Sequence, residues 1–207
     1  GVMHNMRFLS NNIMAADKAL YKGHAIAAVA ATSPHIAEEA LALIQVEYEE
    51  LPPVLSAADA MKPDAPLLHE RLASLTNVNL RPGGTLSDDD PTPGSNLANR
   101  FEFRLGDVDK GFQEADVIVE HETFTSPIHQ GYIEPHTGTA MWHNDGTLTI
   151  WSSSQGHFNV RDQTARLINM PVSKVRAIPM EIGGGFGGKT LVYVEPIAAV
   201  LATIACP

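Results

Sequence analysis

Five glycines within the six residues 183–188 (GGGFGG) restrict the fold of this chain more than any other feature of its sequence. Glycine lacks a Cβ atom, so such a run can turn sharply and can bring its backbone N–H groups close to a bound ligand. Residues 174–179 (KVRAIP) before the run have the pattern of a strand, and Glu195-Pro196 after it are typical of a helix start. The sequence therefore predicts a loop between a strand and a helix, and exposed N–H groups favour an anionic ligand there.

The same glycines match two nucleotide-binding patterns. Residues 183–190 (GGGFGGKT) satisfy the phosphate-binding loop G-x-x-x-x-G-K-[ST], and Gly183, Gly185 and Gly188 satisfy the dinucleotide pattern G-x-G-x-x-G. A phosphate-binding loop needs further strands after it, and a dinucleotide fold needs an acidic residue about 20 positions later at the end of a second strand. A helix is predicted after Glu195 instead. Nucleotide binding and a purely structural glycine turn stay open as alternatives.

Composition and charge argue against several classes of function. The 24 acidic residues outnumber the 14 basic ones and give a pI near 5.3, whereas binding to nucleic acid or to an anionic membrane needs clustered Lys and Arg. The longest apolar run, residues 197–206, is far shorter than the roughly 18 residues that can cross a bilayer. Because Cys206 is the single cysteine, no internal disulfide can form. We therefore expect no nucleic-acid partner, no membrane span and a cytoplasmic location.

The first part of the chain predicts a strand–helix–strand unit and then a linker. Residues 19–31 (ALYKGHAIAAVAA) have the composition of a buried strand. Ser33-Pro34 supplies an N-cap and a first-turn proline, and apolar residues then recur at helical spacing. Residues 45–51 (QVEYEEL) alternate as a half-exposed strand. Residues 79–100, which are rich in Gly, Pro, Ser, Asn and Asp, predict a long loop between two domains.

Beyond the linker the sequence predicts a strand, a hairpin and a helix. Residues 116–125 alternate as a strand, and residues 139–142 are expected to pair with residues 147–151 across an Asn-Asp-Gly turn. Residues 161–170 predict a short amphipathic helix that Pro171 ends. Strands and helices that do not repeat as a long βαβ series indicate the α+β class rather than a doubly wound sheet.

Four segments of the chain resemble one enzyme family. Residues 181–189 (EIGGGFGGK) and 151–155 (WSSSQ) are similar to the glycine loop and to the W-S-[ST]-[ST]-Q segment of the molybdopterin-binding large subunits of xanthine dehydrogenase and aldehyde oxidase type hydroxylases. Residues 130–140 (QGYIEPHTGTA) resemble the Q-x-x-x-E-P-H segment of that family, and residues 21–70, with VEYEELPPV, resemble the preceding hammerhead domain. The run from Thr190 to Tyr193 looks closer to the carbon-monoxide-dehydrogenase-like branch. We therefore expect a fragment of such a large subunit.

The resemblance implies a domain division within the α+β class. Residues 1–78 are expected to form part of an α/β hammerhead domain. Residues 79–100 are expected to form the linker, and residues 101–207 the first part of a molybdenum-cofactor-binding domain.

The resemblance also implies a molybdenum–pterin cofactor, in the cytosine dinucleotide form. Its reaction is oxygen insertion from water at a C–H bond of an aldehyde, an N-heterocycle or a similar small substrate, or the oxidation of carbon monoxide. By position, Gln155 is similar to the glutamine whose amide donates to an oxo ligand of the metal, a role that suits an uncharged group with two N–H donors. Gly185, Phe186, Gly187 and Gly188 are similar to the loop beneath the metal, where backbone N–H groups reach the ligands and Phe186 forms a dry wall. We expect Gln155 to be catalytic and all five residues to bind the cofactor.

Partners follow from the same resemblance. Iron–sulfur clusters and FAD are expected on separate subunits, and the remainder of the large subunit is expected to supply the general base, so the fragment alone should be inactive. Thr190 stands where purine-oxidising members carry a glutamate, which disfavours a purine substrate. The alternative is a non-catalytic module, either one that docks the subunits of a split hydroxylase or a degenerate member of the family.

Other polar and aromatic residues are weaker candidates for a site. Residues 134–136 (EPH) either line a substrate funnel or have a structural role at a strand–loop junction. Residues 88–90 (DDD) lack the alternating spacing of a calcium loop and predict a solvated loop. Trp142 and Trp151 are expected to pack in the core of the hairpin. Cys206 is expected to be buried as a small apolar side chain. Five histidines form no H-x-x-x-H pair and disfavour an imidazole metal site: His121, His129, His136, His143 and His157.

Overall fold

The computed structural model describes residues 6–70, 75–76, 96–97, 99–100 and 105–205. These residues form helices and strands in mixed order, which confirms the predicted α+β class. No helix among them is long and apolar enough to span a membrane. The elements are α1 Met6–Ile13, α2 Pro34–Ala42, α3 Ala57–Ala60, β1 Leu75–Thr76, β2 Asn99–Arg100, α4 Val108–Glu114, β3 Gly138–Trp142, β4 Leu148–Ser152, α5 His157–Leu167, a 3-10 turn Val172–Lys174, β5 Val175–Pro179 and α6 Glu195–Ala205.

The chain divides into two compact units. The first unit, here called the loop unit, comprises residues 1–48 and 128–207 and contains the three-stranded sheet with α1, α2, α5 and α6. The second unit comprises residues 49–127 and contains α3, α4 and the parallel pair of β1 and β2. The glycine run and the residues predicted to act with it all belong to the loop unit.

The predicted linker is only partly described. Residues 79–95 lie outside the described residues, and Asn99–Arg100 at the end of the predicted loop forms strand β2 because it pairs with β1. The predicted domain division into residues 1–78, 79–100 and 101–207 stays a prediction.

The predicted hairpin is confirmed. Strands β3 and β4 pair antiparallel, with Trp142 opposite Leu148. The turn between them closes where the Gly146 N–H donates to the His143 carbonyl at 2.9 Å. Gly146 has a φ of 76°, which glycine adopts without strain. The hairpin brings the residues before β3 to the same edge of the sheet as the residues after β4.

Strand β4 is the centre of the three-stranded sheet, because β5 pairs with its other side in parallel. Two parallel neighbours need a crossover, and α5 provides it. Leu148 and Ile150 of β4 are fully buried, and α5 contacts β5 while α6 contacts β3. The core side chains of the described residues are Leu9, Leu148, Ile150, Val160, Ala165, Val175, Val192 and Ala199.

Helix α5 is present but displaced from the predicted range 161–170. It spans His157–Leu167, and its N-cap Gly156 makes no side-chain capping bond, so the sequence carries no capping signal at its true start. The helix ends where Asn169 adopts a φ of 55° and the Met170 N–H donates to the carbonyl five residues earlier at 2.7 Å. This is the left-handed ending that often closes helices.

Helix α2, strand β5 and helix α6 confirm three further predictions. The Ser33 hydroxyl accepts a hydrogen bond from the Ile36 N–H at 3.3 Å, and Pro34 occupies the first turn of α2. Strand β5 and helix α6 begin at Val175 and Glu195, on either side of the glycine run as expected.

Three predicted strands are wrong. Among the described residues, no strand forms in 19–31, 45–51 or 116–125, and the first of these makes only an isolated bridge between Met14 and Ala25. An extended segment becomes a strand only where a neighbour exchanges backbone hydrogen bonds with it, and the described residues supply no such neighbour. The predicted strand–helix–strand unit is therefore reduced to its helix.

Candidate functional site

Three segments of the loop unit meet at one edge of the sheet. Because β4 and β5 are parallel, their carboxyl ends lie at the same edge, and antiparallel β3 begins there. Glu134 lies before β3, Gln155 follows β4, and the glycine run 183–188 follows β5. The fold therefore brings Gln155 into contact with the glycine run, although α5 and β5 lie between them in the sequence.

Gln155 is held by the backbone of the loop. Its side-chain oxygen Oε1 accepts hydrogen bonds from the Gly187 N–H at 3.0 Å and the Lys189 N–H at 3.2 Å. The Gln155 backbone N–H donates to the Lys189 carbonyl at 2.8 Å, so the same two residues are tied twice. Two N–H donors require an acceptor between them, so the oxygen of the side-chain amide faces the loop and its NH₂ group faces away. Within the described part of the chain this NH₂ group donates no hydrogen bond, and Gln155 is exposed.

Three of the glycines allow side chains to pack directly on the loop backbone. A Cβ atom at Gly185 would lie 2.6 Å from Gln155 Oε1, and one at Gly183 would lie 2.7 Å from Glu134 Cβ. A Cβ atom at Gly188 would lie 2.7 Å from a ring carbon of Tyr132. Real Cβ contacts are not so short, so these positions exclude any larger residue unless the partner side chain moves. The glycine run is shaped by its contacts with Gln155, Glu134 and Tyr132.

The other two glycines are required by backbone conformation. Gly184 and Gly187 have φ values of 96° and 90°, which side-chain-bearing residues rarely adopt. A Cβ atom at Gly187 would meet no heavy atom within 4 Å, so open space lies beside the loop at that point. Phe186 between them also has a positive φ, 48°, and its side chain is 73% exposed.

The N–H groups of the loop fall into two sets. Gly183, Gly187 and Gly188 donate to Glu134, Gln155 and the Gly185 carbonyl, as part of the chain's own structure. Among the described residues, no acceptor meets the N–H groups of residues 184–186. The N–H groups without a partner therefore lie nearer the start of the loop than the residues 185–188 from which such donors were expected.

Lys189 and Glu134 form an ion pair behind the loop. The Lys189 side chain is 1% exposed, and its Nζ donates to Oε2 of Glu134, which is 29% exposed. The same carboxylate oxygen accepts the Gly183 N–H at 2.7 Å. The hydrogen bond from Lys189 lowers the pKa of Glu134 most, and the Gly183 N–H lowers it further. Of the two roles expected for residues 134–136, the geometry at Glu134 favours the structural one.

This geometry argues against nucleotide binding. In a phosphate-binding loop the lysine reaches the phosphates and a helix begins directly at the end of the loop. Here the Lys189 side chain is buried against Glu134, and α6 begins only at Glu195. The match of residues 183–190 to the nucleotide pattern is therefore a coincidence of spacing.

Tyr132 and His136 pack behind the glycine run. Tyr132 Oη lies 2.9 Å from His136 Nε2, and the His136 ring lies 4.2 Å, centroid to centroid, from the ring of Tyr193. Burial lowers the pKa of His136, while the nearby Glu195 carboxylate acts in the opposite direction. The net effect lowers the pKa of His136 and disfavours its charged form. No group of three or more His, Cys, Asp or Glu among the described residues is placed to hold a metal ion.

Sequence reasoning missed Glu195 as a buried residue beneath the site. Glu195 is 4% exposed and accepts hydrogen bonds from the Ser152 hydroxyl and from the Tyr193 N–H, the latter at 2.9 Å. Ser152 is 43 positions away in the sequence, so no local pattern could reveal the contact. Glu195 links the end of β4 to the start of α6.

The two tryptophans lie in the strands of the hairpin. Trp142 packs against the core, as expected, and Trp151 is partly buried in β4. Cys206 and residues 88–90 lie outside the described residues.

Two family models match the chain. The model for the molybdopterin cofactor-binding domain matches residues 90–206, more than half of the chain, and the model for the aldehyde oxidase and xanthine dehydrogenase a/b hammerhead domain matches residues 2–52. The chain therefore belongs to the molybdopterin cofactor-binding domain family, which confirms the resemblance drawn from its motifs.

Named relatives agree with this assignment. The chain is 34% identical, over 89% of its length, to the nicotinate dehydrogenase large molybdopterin subunit of Eubacterium barkeri, of which the match covers 38%. It is 33% identical, over 93% of its length, to the carbon monoxide dehydrogenase large chain of Hydrogenophaga pseudoflava, of which 23% is covered. The structure of reconstituted CO dehydrogenase from Oligotropha carboxidovorans aligns with a TM-score of 0.61 at 26% identity, over 83% of this chain and 20% of that one. The chain thus spans well under half the length of each of these relatives.

Proposed function

We propose that this chain forms one wall of a molybdenum–pterin cofactor site in the large subunit of a molybdenum hydroxylase. The observation that carries the proposal is the orientation of Gln155. Because the N–H groups of Gly187 and Lys189 hold its oxygen, its NH₂ group is directed to the exposed side of the loop. A fixed, uncharged N–H donor suits an oxygen ligand of a metal centre, since it orients the ligand without adding charge.

The other residues at this edge fit the cofactor. Open space beside Gly187 offers room, and the unpartnered N–H groups of Gly184 and Phe186 offer neutral donors for oxygen and nitrogen acceptors. The cofactor, when bound, supplies the redox chemistry that moves an oxygen from water to a C–H bond. The chain's own residues bind and orient it.

Each of the five proposed site residues has a separate role. Gln155 donates its amide N–H to the cofactor, and Gly185 must lack a side chain so that Gln155 can lie against it. The exposed Phe186 ring excludes water from the site. Gly187 provides contact surface rather than a hydrogen bond, because its N–H already donates to Gln155. Gly188 is buried and must lack a side chain so that the Tyr132 ring can pack on the loop.

The wider assembly is also part of the proposal. We propose the cytosine dinucleotide form of the cofactor, iron–sulfur and FAD subunits as partners, and a general base from the remainder of the large subunit. Two relatives are named as a large molybdopterin subunit and as a large chain, which supports a multi-subunit enzyme. The single cysteine supports a reducing, cytoplasmic compartment.

For the substrate we propose an aldehyde, an N-heterocycle or a similar small molecule, or carbon monoxide. Thr190 directly after the loop disfavours purines, since its hydroxyl donates to the Gly187 carbonyl at 3.2 Å and offers no carboxylate to a heterocycle.

The proposal is tested by the molybdenum content of the native polypeptide that contains this chain, captured in its complex and measured by plasma mass spectrometry. We expect about one molybdenum per chain, with a lower content in Gln155→Ala. Gln45→Ala, which removes an exposed glutamine of the same unit, is the matched control and should keep the native content. Metal-free protein from cells shown to make the cofactor would instead support the non-catalytic docking module.

A further inference from the structure

Glu134 connects the two ends of the glycine loop. Its Oε2 atom accepts the Gly183 N–H at the first residue of the loop and the Lys189 ammonium directly after the last one. Gln155 meanwhile binds the N–H groups of Gly187 and Lys189. Lys189 is therefore shared, because its backbone is tied to Gln155 and its side chain to Glu134.

The two side chains of the ion pair between Glu134 and Lys189 differ in their exposure to water. The Lys189 side chain is almost completely buried, at 1% exposed, and its Nζ lies 5.2 Å from the centre of the Tyr132 ring. Glu134 is 29% exposed and keeps some access to water. Removing the carboxylate leaves a buried ammonium group without its partner, whereas removing the ammonium leaves a carboxylate that still accepts from Gly183.

We propose that Glu134 and Lys189 are a positioning pair that fixes the glycine loop against Gln155 before the cofactor binds. This inference rests on the proposed function of the loop. In this proposal the pair acts on the loop and not directly on substrate or cofactor. It acts by holding Gly183 and Lys189, so that Gln155 meets two loop N–H groups at fixed positions and keeps its NH₂ group outward. A loop ordered in advance binds its ligand more tightly, because less conformational freedom is lost on binding.

The test compares four variants of the native polypeptide in its complex: Glu134→Gln, Lys189→Met, the double variant, and Glu181→Gln as the control. Glu181 is an exposed carboxylate two residues before the loop and has no hydrogen bond or ion pair with a described residue. Deuterium uptake of residues 181–190 is measured in cofactor-free protein, and molybdenum retained after dialysis is measured in the loaded complex. Because the protein in the first measurement is cofactor-free, deuterium uptake reports how well the loop is ordered without the cofactor.

We expect Glu134→Gln to speed exchange in the loop about tenfold, as the weakening of one to two hydrogen bonds would, and to lower the molybdenum retained. Lys189→Met should have a smaller effect, and Glu181→Gln none. The double variant should exchange more slowly than Glu134→Gln alone, since no buried charge is then left unpaired.

Two results would overturn the pairing. One is loop exchange and molybdenum retention in Glu134→Gln that equal those of Glu181→Gln. The other is a double variant whose effect is the sum of the single effects. If Glu134→Gln unfolds the whole chain, recovery of folding in the double variant supports the pair, and failure to recover contradicts it. A native complex without molybdenum would defeat the proposed function, while the exchange measurement would still decide whether the pair orders the loop.

Discussion

Strand β4 and residues 116–125 have similar sequence patterns and opposite structures. Both are rich in β-branched and aromatic residues, yet Leu148 and Ile150 of β4 are fully buried, whereas Val119 is 82% and Phe124 is 87% exposed. Strand β4 has a neighbour on each side, and residues 116–125 pair with no strand among the described residues. The residue types favour an extended conformation in both segments, but pairing decides whether a strand forms.

The same contrast separates the two units. Every buried side chain among the described residues, apolar or polar, belongs to the loop unit. In residues 49–127, by contrast, described apolar side chains such as Phe112 and Val117 are exposed at 58% and 77%. The loop unit therefore has its own core to support a site, and the site lies at the edge of its sheet.

The largest expected effect is on stability, from shortening a core side chain. Ile150→Ala removes part of a fully buried side chain in the central strand and should cost about 3 kcal/mol in the free energy of unfolding. Val119→Ala, at an exposed position, should change it by less than about 0.5 kcal/mol. Chemical denaturation of the native polypeptide measures both. Equal losses of stability in the two variants would indicate that residues 116–125 pack against another part of that polypeptide.

A smaller and more local effect is expected from glycine substitutions. Gly185→Ala places a Cβ atom 2.6 Å from Gln155 Oε1, so Gln155 must move and lose its bonds to the loop. We expect molybdenum retention after dialysis to fall about tenfold. Gly111→Ala lies inside helix α4 with nothing within 4 Å and should instead stabilise that helix by about 0.5 to 1 kcal/mol. Unchanged retention in Gly185→Ala would mean that the contact with Gln155 is not needed for binding.

The smallest expected effect depends on pH. Because the pKa of Glu134 is lowered from its ordinary value of 4.5, its carboxylate contributes fully above that value. The contribution is lost as pH falls through the lowered pKa. Native protein should therefore retain more molybdenum than Glu134→Gln at neutral pH, and the difference should close only below pH 4.5. A difference that closes above this pH would contradict the ion pair with Lys189.

Local signals in the sequence predicted the local parts of this fold. The serine-proline start of α2, the Asn-Asp-Gly turn of the hairpin and the strand and helix around the glycine run were all predicted from adjacent residues. Their determinants are capping, turn conformation and alternation, which act over a few positions. The start of α5 carried no such signal, because Gly156 caps it without a side chain.

The site was predictable only in part, for the same physical reason. Resemblance pointed to Gln155 and the glycine run, but Glu134 and Lys189 are 55 positions apart and meet only because β3 and β5 share one sheet with β4. The clash between a Cβ at Gly185 and Gln155 likewise depends on tertiary geometry. Contacts of this kind follow from the fold and not from spacing.

The position of molybdenum in crystals of the native polypeptide, found from anomalous scattering at the molybdenum absorption edge, tests the proposed cofactor site most directly. We expect a peak beside the glycine loop, with an oxygen ligand about 3 Å from Nε2 of Gln155. A peak elsewhere in the molecule, with the amide of Gln155 turned to solvent, would contradict this proposal.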